Sequence, residues 1–410
     1  MIKRNYIVGI DVGTAEVRVG LGEPRPDGTV NIIGLGLNPS DGVRKGVIVD
    51  LDKTVESIVA AIEEAERMAG VKIDSAFLGL KGLNMELINN RGVVAVTAED
   101  REIREDDLER VMQAAKVVAL PMDREIVDII PREYIVDGFE GIRDPVGMLG
   151  VRLEVDALVV SSLITSLHNL LRCVNRAGIN INGLVLQAMA NSEIYLSPDE
   201  RDLGVFLVDI GSGTTEIAFF QHGKLQKMKV APVGGDHITT DLAAGLRINH
   251  FKAEELKKEY GTVLLSTADS EPKIEITTVG SNELRLVSER ELTAYIEPRV
   301  NEIFQIIKEE MTKMGWPYLP PAGVVLHGGV SAMKGFVDAS RHFFESDQVR
   351  LAEFETVGIQ NPTYSTVVGL LYYVQRYQPR MFIQERVKQT KKRGPGLWQS
   401  LKDWIADIID

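Results

Sequence analysis

The sequence specifies an α/β protein of two duplicated lobes facing each other across a cleft, with a small α+β domain inserted. Three observations carry this expectation. An apolar strand ending in Asp-x-Gly occurs twice, at Asp11-Val12-Gly13 and Asp209-Ile210-Gly211, and two more strands follow each copy. The interval between the copies is that of a domain, far longer than a solenoid repeat. Between them runs a segment with a strand and helix pattern of its own.

Taken in order, residues 6–10, 17–21 and 30–35 read as a β-meander broken by Gly, Pro and Asp. Asp52 is then expected to cap a helix whose apolar residues Val55, Ile58, Val59, Ile62 and Ala69 share one face. In the inserted segment, 84–161, Leu108, Val111, Met112, Ala115 and Val118 mark a helix, with strands expected at 92–97, 126–130 and 151–161. The second meander follows at 205–208, 216–220 and 225–230.

Composition narrows the class. The 410 residues, enough for two to four domains, are 44% apolar and 26% charged, as in ordinary globular proteins. Lys and Arg number 46 against 59 Asp and Glu, a net charge of −13. That argues against general nucleic-acid binding, which needs a basic face. The single cysteine, Cys173, allows no intrachain disulfide, is expected to be a packing residue, and points to a reducing compartment. No stretch approaches the length of a membrane-spanning helix, and Asp11 with its glycines follows Lys3 and Arg4 where a signal peptide would be apolar. The expectation is a cytosolic protein. The six histidines show no metal-binding spacing.

An Asp-x-Gly at a strand end has a chemical use. Glycine lets the backbone approach a phosphate, and the N–H groups of the turn meet its oxygens. The carboxylate offers a hard oxygen to magnesium, usually through retained water. The candidate phosphate contacts are Gly13, Thr14 and Ala15 in the first turn and Gly211, Ser212, Gly213, Thr214 and Thr215 in the second; Asp11 and Asp209 are the candidate magnesium residues. A single Asp-Gly is as readily a plain turn, but two in matching strand contexts favour a polyphosphate gripped from both sides. A third site, Gly328-Gly329-Val330 after an apolar strand, would let a ribose or flat ring pass close to the backbone, an adenosine contact.

Three further stretches carry a resemblance: 39–46 (PSDGVRKG) with Asp50, 130–134 (IPREY) and 141–148 (GIRDPVGM). With the three glycine sites, the chain resembles the actin-like ATPase superfamily, which includes actin, MreB, sugar kinases and heat-shock chaperones. Over nearly its whole length it resembles the FtsA family of bacterial cell division. The implied fold is two actin-like (ribonuclease-H-like) lobes around a nucleotide cleft. The implied organisation is a first lobe at 1–83, an FtsA-specific insertion at 84–161, connecting helices at 162–202 and a second lobe at 203–360. The chain then returns to the first lobe at 361–380, and a linker at 381–396 leads to a membrane-targeting helix at 397–410.

The resemblance implies ATP and Mg2+ as cofactors and leaves turnover open. It implies that Gln187 positions a water; read alone, Gln187 is equally an interlobe packing residue, and being uncharged it is a poor base. It places Gly235 and Asp236 near the phosphates and ribose, and Glu254 and Lys257 at the adenosine, although their spacing also fits a surface ion pair. A helix around residue 369 is expected to use its glycine for close packing between lobes. The implied partners are the C-terminal tail of the tubulin-like FtsZ, meeting Arg299 and Glu302, further copies of the chain in filaments, and other division proteins.

The last residues form an amphipathic pattern. At about 100° per residue, Leu397, Trp398, Leu401, Trp404, Ile405, Ile408 and Ile409 fall within an arc of roughly 140°. Two of the three tryptophans lie there, after a breaker-rich stretch holding Lys388, Lys391, Lys392 and Arg393. This reads as a helix lying in a membrane surface, against the alternative of docking on the protein itself or a partner. Its own polar face is acidic, so attraction to anionic lipid would come from the upstream cations, about 1 kcal/mol each. The implied location is the inner face of the cytoplasmic membrane at the division site. Two other readings stand beside this one: a PilM-like pilus-assembly scaffold, and a small-molecule kinase, for which no catalytic aspartate is evident.

Overall fold

The computed structural model describes residues 6–81, 84–280, 284–354 and 361–377. Two five-stranded mixed sheets have the same strand order. The first runs Val30–Pro39, Glu16–Pro24, Ile7–Val12, Ser75–Leu80, Asn180–Leu186, and the second Lys224–Ala231, Thr215–Gln221, Val205–Ile210, Val324–His327, Val349–Leu351. In each, an antiparallel meander is extended by two parallel strands. Every residue of the central strand Val205–Ile210 is buried, as expected where both faces of a sheet are covered.

The register repeats as well. Asp11 pairs with Arg18 on one side and Gly79 on the other; Asp209 pairs with Glu216 and His327. Both aspartates therefore leave equivalent strands at equivalent heights.

The helix Leu51–Ala69 is capped by Asp50, not by Asp52 as the sequence reading has it. The Asp50 backbone is extended and its side chain accepts the Lys53 N–H at 3.1 Å, the geometry an N-cap requires and worth about 1 kcal/mol. Asp52 sits in the first turn, where its carboxylate pairs with Arg176 at 2.6 Å. Ile58, Ala61, Ile62 and Ala65 are buried on the core face, while Val55, Val59 and Ala69 lie at its margin. Cys173 is fully buried in the same core.

The inserted segment is an antiparallel sheet in the order Met85–Ala95, Arg152–Leu163, Arg124–Val136, Phe139–Ile142, with the helix Glu105–Ala115 packed on it. It has its own core, which includes Ile103, Val111, Tyr134, Leu153 and Val155. Two details differ from expectation: the first strand ends at Ala95, and Val118 falls beyond the helix, which Lys116 closes. The second lobe is filled around Phe206, Phe304 and Phe336 by the helices Gly235–Leu246, His250–Tyr260 and Glu289–Lys313.

Two further helices pack on each other, Gln187–Tyr195 and Ser365–Tyr377. A Cβ on Gly369 would stand 2.5 Å from the Ala190 carbonyl oxygen, so only glycine permits their approach. Ser365–Tyr377 also packs on the first-lobe sheet, Leu370 against Gly9 and Val367 against Gly20. Among the described residues, no helix is long and apolar enough to cross a membrane. The linker and terminal helix expected at 381–410, with Leu397, Trp398, Leu401, Trp404, Ile405 and Ile408, lie outside the described residues.

Candidate functional site

The two Asp-x-Gly turns fold alike. Gly13 N–H donates to Glu16 O at 3.0 Å and Gly211 N–H to Thr214 O at 2.9 Å. Between those anchors, the N–H groups of Thr14, Ala15, Ser212 and Gly213 have no hydrogen-bond partner among the described residues. The second turn is braced from below: Gly235 N–H donates to Gly211 O at 3.0 Å, Asp236 N–H to Ser212 O at 2.8 Å, and the Ser212 hydroxyl to the Asp236 carboxylate. Thr215 Oγ1 donates to Val233 O at 2.8 Å.

Both aspartates are buried and paired. Asp11 accepts from Arg18 Nη1 at 3.0 Å and from the side-chain amide of Gln187, while Arg18 Nη2 reaches Glu16 at 2.7 Å. Asp209 pairs with Lys81, which follows the first-lobe strand Ser75–Leu80, so this ion pair crosses from one lobe to the other. Sequence reasoning found neither cation.

Burial, the largest single influence, pushes the Asp209 carboxyl upward, but Lys81, His327 and Arg18 together outweigh it and the group lies below the ordinary carboxylate range. Burial likewise depresses Lys81, and the attraction of Asp209 and Glu216 raises it overall. His327, whose Nδ1 is 3.9 Å from Asp209, is pushed by burial down to about 4 and is therefore neutral near pH 7. Glu216 is raised by burial to about 7 despite the nearby Lys81.

Lys257 and Glu254 form their ion pair at 2.6 Å, but Lys257 is buried, so a surface pair is not what the fold makes. The Lys257 ammonium also donates to Thr239 Oγ1 at 2.8 Å and Gly235 O at 3.1 Å, fixing the turn beneath the second aspartate. Burial moves Lys257 below the ordinary lysine range even with Glu254 beside it. Gly328 has φ 95°, and a Cβ there would stand 2.4 Å from Asp209 Oδ1; its glycine serves the packing of the aspartate strand. Gly329 differs: it is exposed, with no atom within 4 Å of where a Cβ would stand. Val330 is buried behind it.

Arg299 and Glu302 are not part of this cluster. They lie on the helix Glu289–Lys313, beside a groove of about 670 Å³ that Lys229, Pro232, His237, Ile306 and Lys313 also line. Arg299 is held by Asp241 at 2.6 Å and by Glu302.

The side-chain oxygens gathered at the two turns, from Asp11, Asp209, Glu216 and Gln187, are of the kind a hard cation takes, with the His327 imidazole beside Asp209. No group of three His, Cys, Asp or Glu side chains forms a direct metal cage among the described residues. The four unbonded N–H groups suit phosphate oxygens, and the nearby carboxylates suit a hard cation that reaches them through water.

Comparison with known proteins gives the following. A family model described as "Cell division protein FtsA" matches residues 206–369, and one described as "SHS2 domain inserted in FTSA" matches 82–161. The "Cell division protein FtsA" of Bacillus subtilis (strain 168) is 44% identical over 376 residues, 92% of this chain and 85% of the relative. Among solved structures, the "PilM-PilN type IV pilus biogenesis complex" aligns with TM-score 0.64 at 15% identity, covering 92% of this chain and 100% of that one. MreB5 of Spiroplasma citri bound to ADP aligns with TM-score 0.54 at 13% identity, covering 95% and 99%. These two likenesses show an actin-like fold.

Proposed function

Because the chain belongs to the FtsA family of cell-division proteins, we propose that it binds ATP with magnesium in its cleft, assembles into filaments and tethers FtsZ to the inner face of the cytoplasmic membrane at the division site. One observation carries the nucleotide part of this reading. Two equivalent acidic turns, one from each lobe, are drawn together by the Lys81–Asp209 pair.

The residues divide the work by chemistry. The N–H groups of Thr14, Ala15, Ser212 and Gly213, with Gly13, Gly211, Thr214 and Thr215 shaping their turns, receive phosphate oxygens. Asp11 and Asp209 hold magnesium through water, and when bound the ion supplies charge neutralisation for the phosphates. Lys81 helps keep the Asp209 carboxylate ionised, and Arg18 is the ion-pair partner of Asp11. Gly235 and Asp236 support the second turn from the helix below, and Glu254 with Lys257 locks that support on the adenosine side. Gly329 offers open backbone for the nucleoside, with Gly328 and Val330 fixing its place.

Gln187 donates its amide to Asp11, which leaves its oxygen to orient a water. An amide is a weak base, so any turnover is slow. ATP then acts mainly by its greater affinity for the closed, polymer-competent arrangement. The groove at Arg299 and Glu302 supports FtsZ-tail docking, since it offers both charges beside apolar walls. The membrane part rests on the amphipathic order of residues 397–410. Fluorescence titration of the full chain with ATP and magnesium tests the central claim: micromolar or tighter binding is expected, and none at millimolar ATP overturns it.

A further inference from the structure

A short hairpin precedes the helix Leu51–Ala69. Val43 pairs with Ile48 and Arg44 with Val47, which leaves Lys45 and Gly46 as a two-residue turn. Both have positive φ, 49° and 72°, the type I′ form that such hairpins favour.

The tip of this hairpin touches both acidic turns. Gly46 N–H donates to Thr14 Oγ1 at 2.9 Å, which fastens the tip to the first lobe. On the other side, a Cβ on Gly213 would stand 2.9 Å from the Lys45 Cα, and one on Gly46 would be 3.6 Å from Thr214 Cγ2. The hairpin therefore spans the line along which the two lobes meet.

Charge at this line is unbalanced. Three carboxylates (Asp11, Glu16, Asp209) face two cations (Arg18, Lys81), and both cations are already engaged by them. Lys45 is exposed and has no ion pair or hydrogen bond from its side chain among the described residues. A nucleoside triphosphate brings about four more negative charges, of which one magnesium offsets two; a free cation at the mouth is what remains to meet the outermost phosphate.

We propose that Lys45 is a further phosphate-contacting residue: its ammonium engages the terminal phosphate of a nucleoside triphosphate and straps the hairpin tip across both turns. A nucleoside diphosphate is too short to make this contact, so the strap tells the two apart. The inference rests on the reading of the cleft as a nucleotide site.

The experiment is calorimetric titration of the full chain with magnesium-ATP and magnesium-ADP, in wild type, Lys45→Ala and Lys45→Arg. Loss of one exposed charge-assisted contact should weaken ATP about tenfold and ADP less than twofold, with Lys45→Arg close to wild type. Unchanged melting of unliganded Lys45→Ala, expected for an exposed side chain, shows that folding is not the cause. Equal losses for the two nucleotides, or no loss, overturn the strap alone. A wild type that binds neither nucleotide removes the nucleotide reading, and the strap with it.

Discussion

Arg18 and Glu216 occupy the same place in the two lobes, each opposite its lobe's aspartate across an antiparallel strand pair, and they carry opposite charges. Asp11 thus finds its counter-ion on its own sheet. Asp209 faces a second carboxyl there instead, and its cation, Lys81, comes from the other lobe. The duplication is symmetric in backbone and asymmetric in charge, and the asymmetry ties one lobe to the other.

The first prediction concerns that cross-lobe pair. Removing one member of a largely buried ion pair leaves the other uncompensated, at a cost of about 3 kcal/mol. Lys81→Met should therefore lower the urea midpoint markedly, and adding Asp209→Asn should restore much of the loss. A double-mutant cycle is expected to give a coupling of roughly 1–3 kcal/mol. Additive effects of the two substitutions would mean the pair does not hold the lobes.

Glu216 makes stability depend on pH in a stated direction. Its folded pKa lies at about 7, above the ordinary 4.5, so the folded state holds this proton more tightly than the unfolded chain does. The group therefore favours folding least when ionised, and its penalty grows as pH rises from about 4.5 to 7. Glu216→Gln should gain stability over wild type across that window, on the order of 3 kcal/mol at the alkaline end. Denaturation of both proteins at a series of pH values checks this; a pH-independent difference would count against the burial that raises the group.

The nucleotide reading turns on Asp209. Asp209→Ala removes the partner of Lys81 and one of the two carboxylates assigned to magnesium, and should weaken ATP binding roughly 30- to 100-fold, about 2–3 kcal/mol. The loss should be larger with magnesium present than with EDTA. Wild-type affinity in this variant would overturn the assignment of the cleft.

What could be read from the chain follows from where the chemistry resides. The acidic turns are legible because strand, Asp-x-Gly and strand are contiguous in sequence. Arg18 and Glu216 were legible in principle, since each follows its aspartate by the same interval, but only pairing register reveals that both face the site. Lys81 gave no local signal. It reaches Asp209 because Ser75–Leu80 lies parallel to Ile7–Val12, a contact that tertiary packing decides. The cap at Asp50 was misassigned for a simpler reason: two aspartates two residues apart both suit a helix start, and the preceding hairpin determines which one is extended. In the same way Glu254 and Lys257 show their spacing in sequence but not their burial under Gly235.

The last prediction concerns residues 397–410, where a helical periodicity would set Trp398 and Trp404 on one apolar face. Full burial of a large apolar side chain is worth about 1.5–3 kcal/mol, so even partial immersion of two tryptophans with Leu401, Ile405 and Ile408 outweighs what the upstream cations add. Because the same periodicity would set Asp403, Asp407 and Asp410 opposite that face, binding should be governed more by apolar insertion than by charge. Co-sedimentation with anionic vesicles should then persist in moderate salt and be lost on deletion of 397–410. Trp398→Ala with Trp404→Ala should reduce it nearly as far, whereas neutralising Lys388, Lys391, Lys392 and Arg393 should reduce it less. Vesicle binding that survives the deletion would separate membrane attachment from this segment, and binding abolished by salt alone would make the linker cations its main cause.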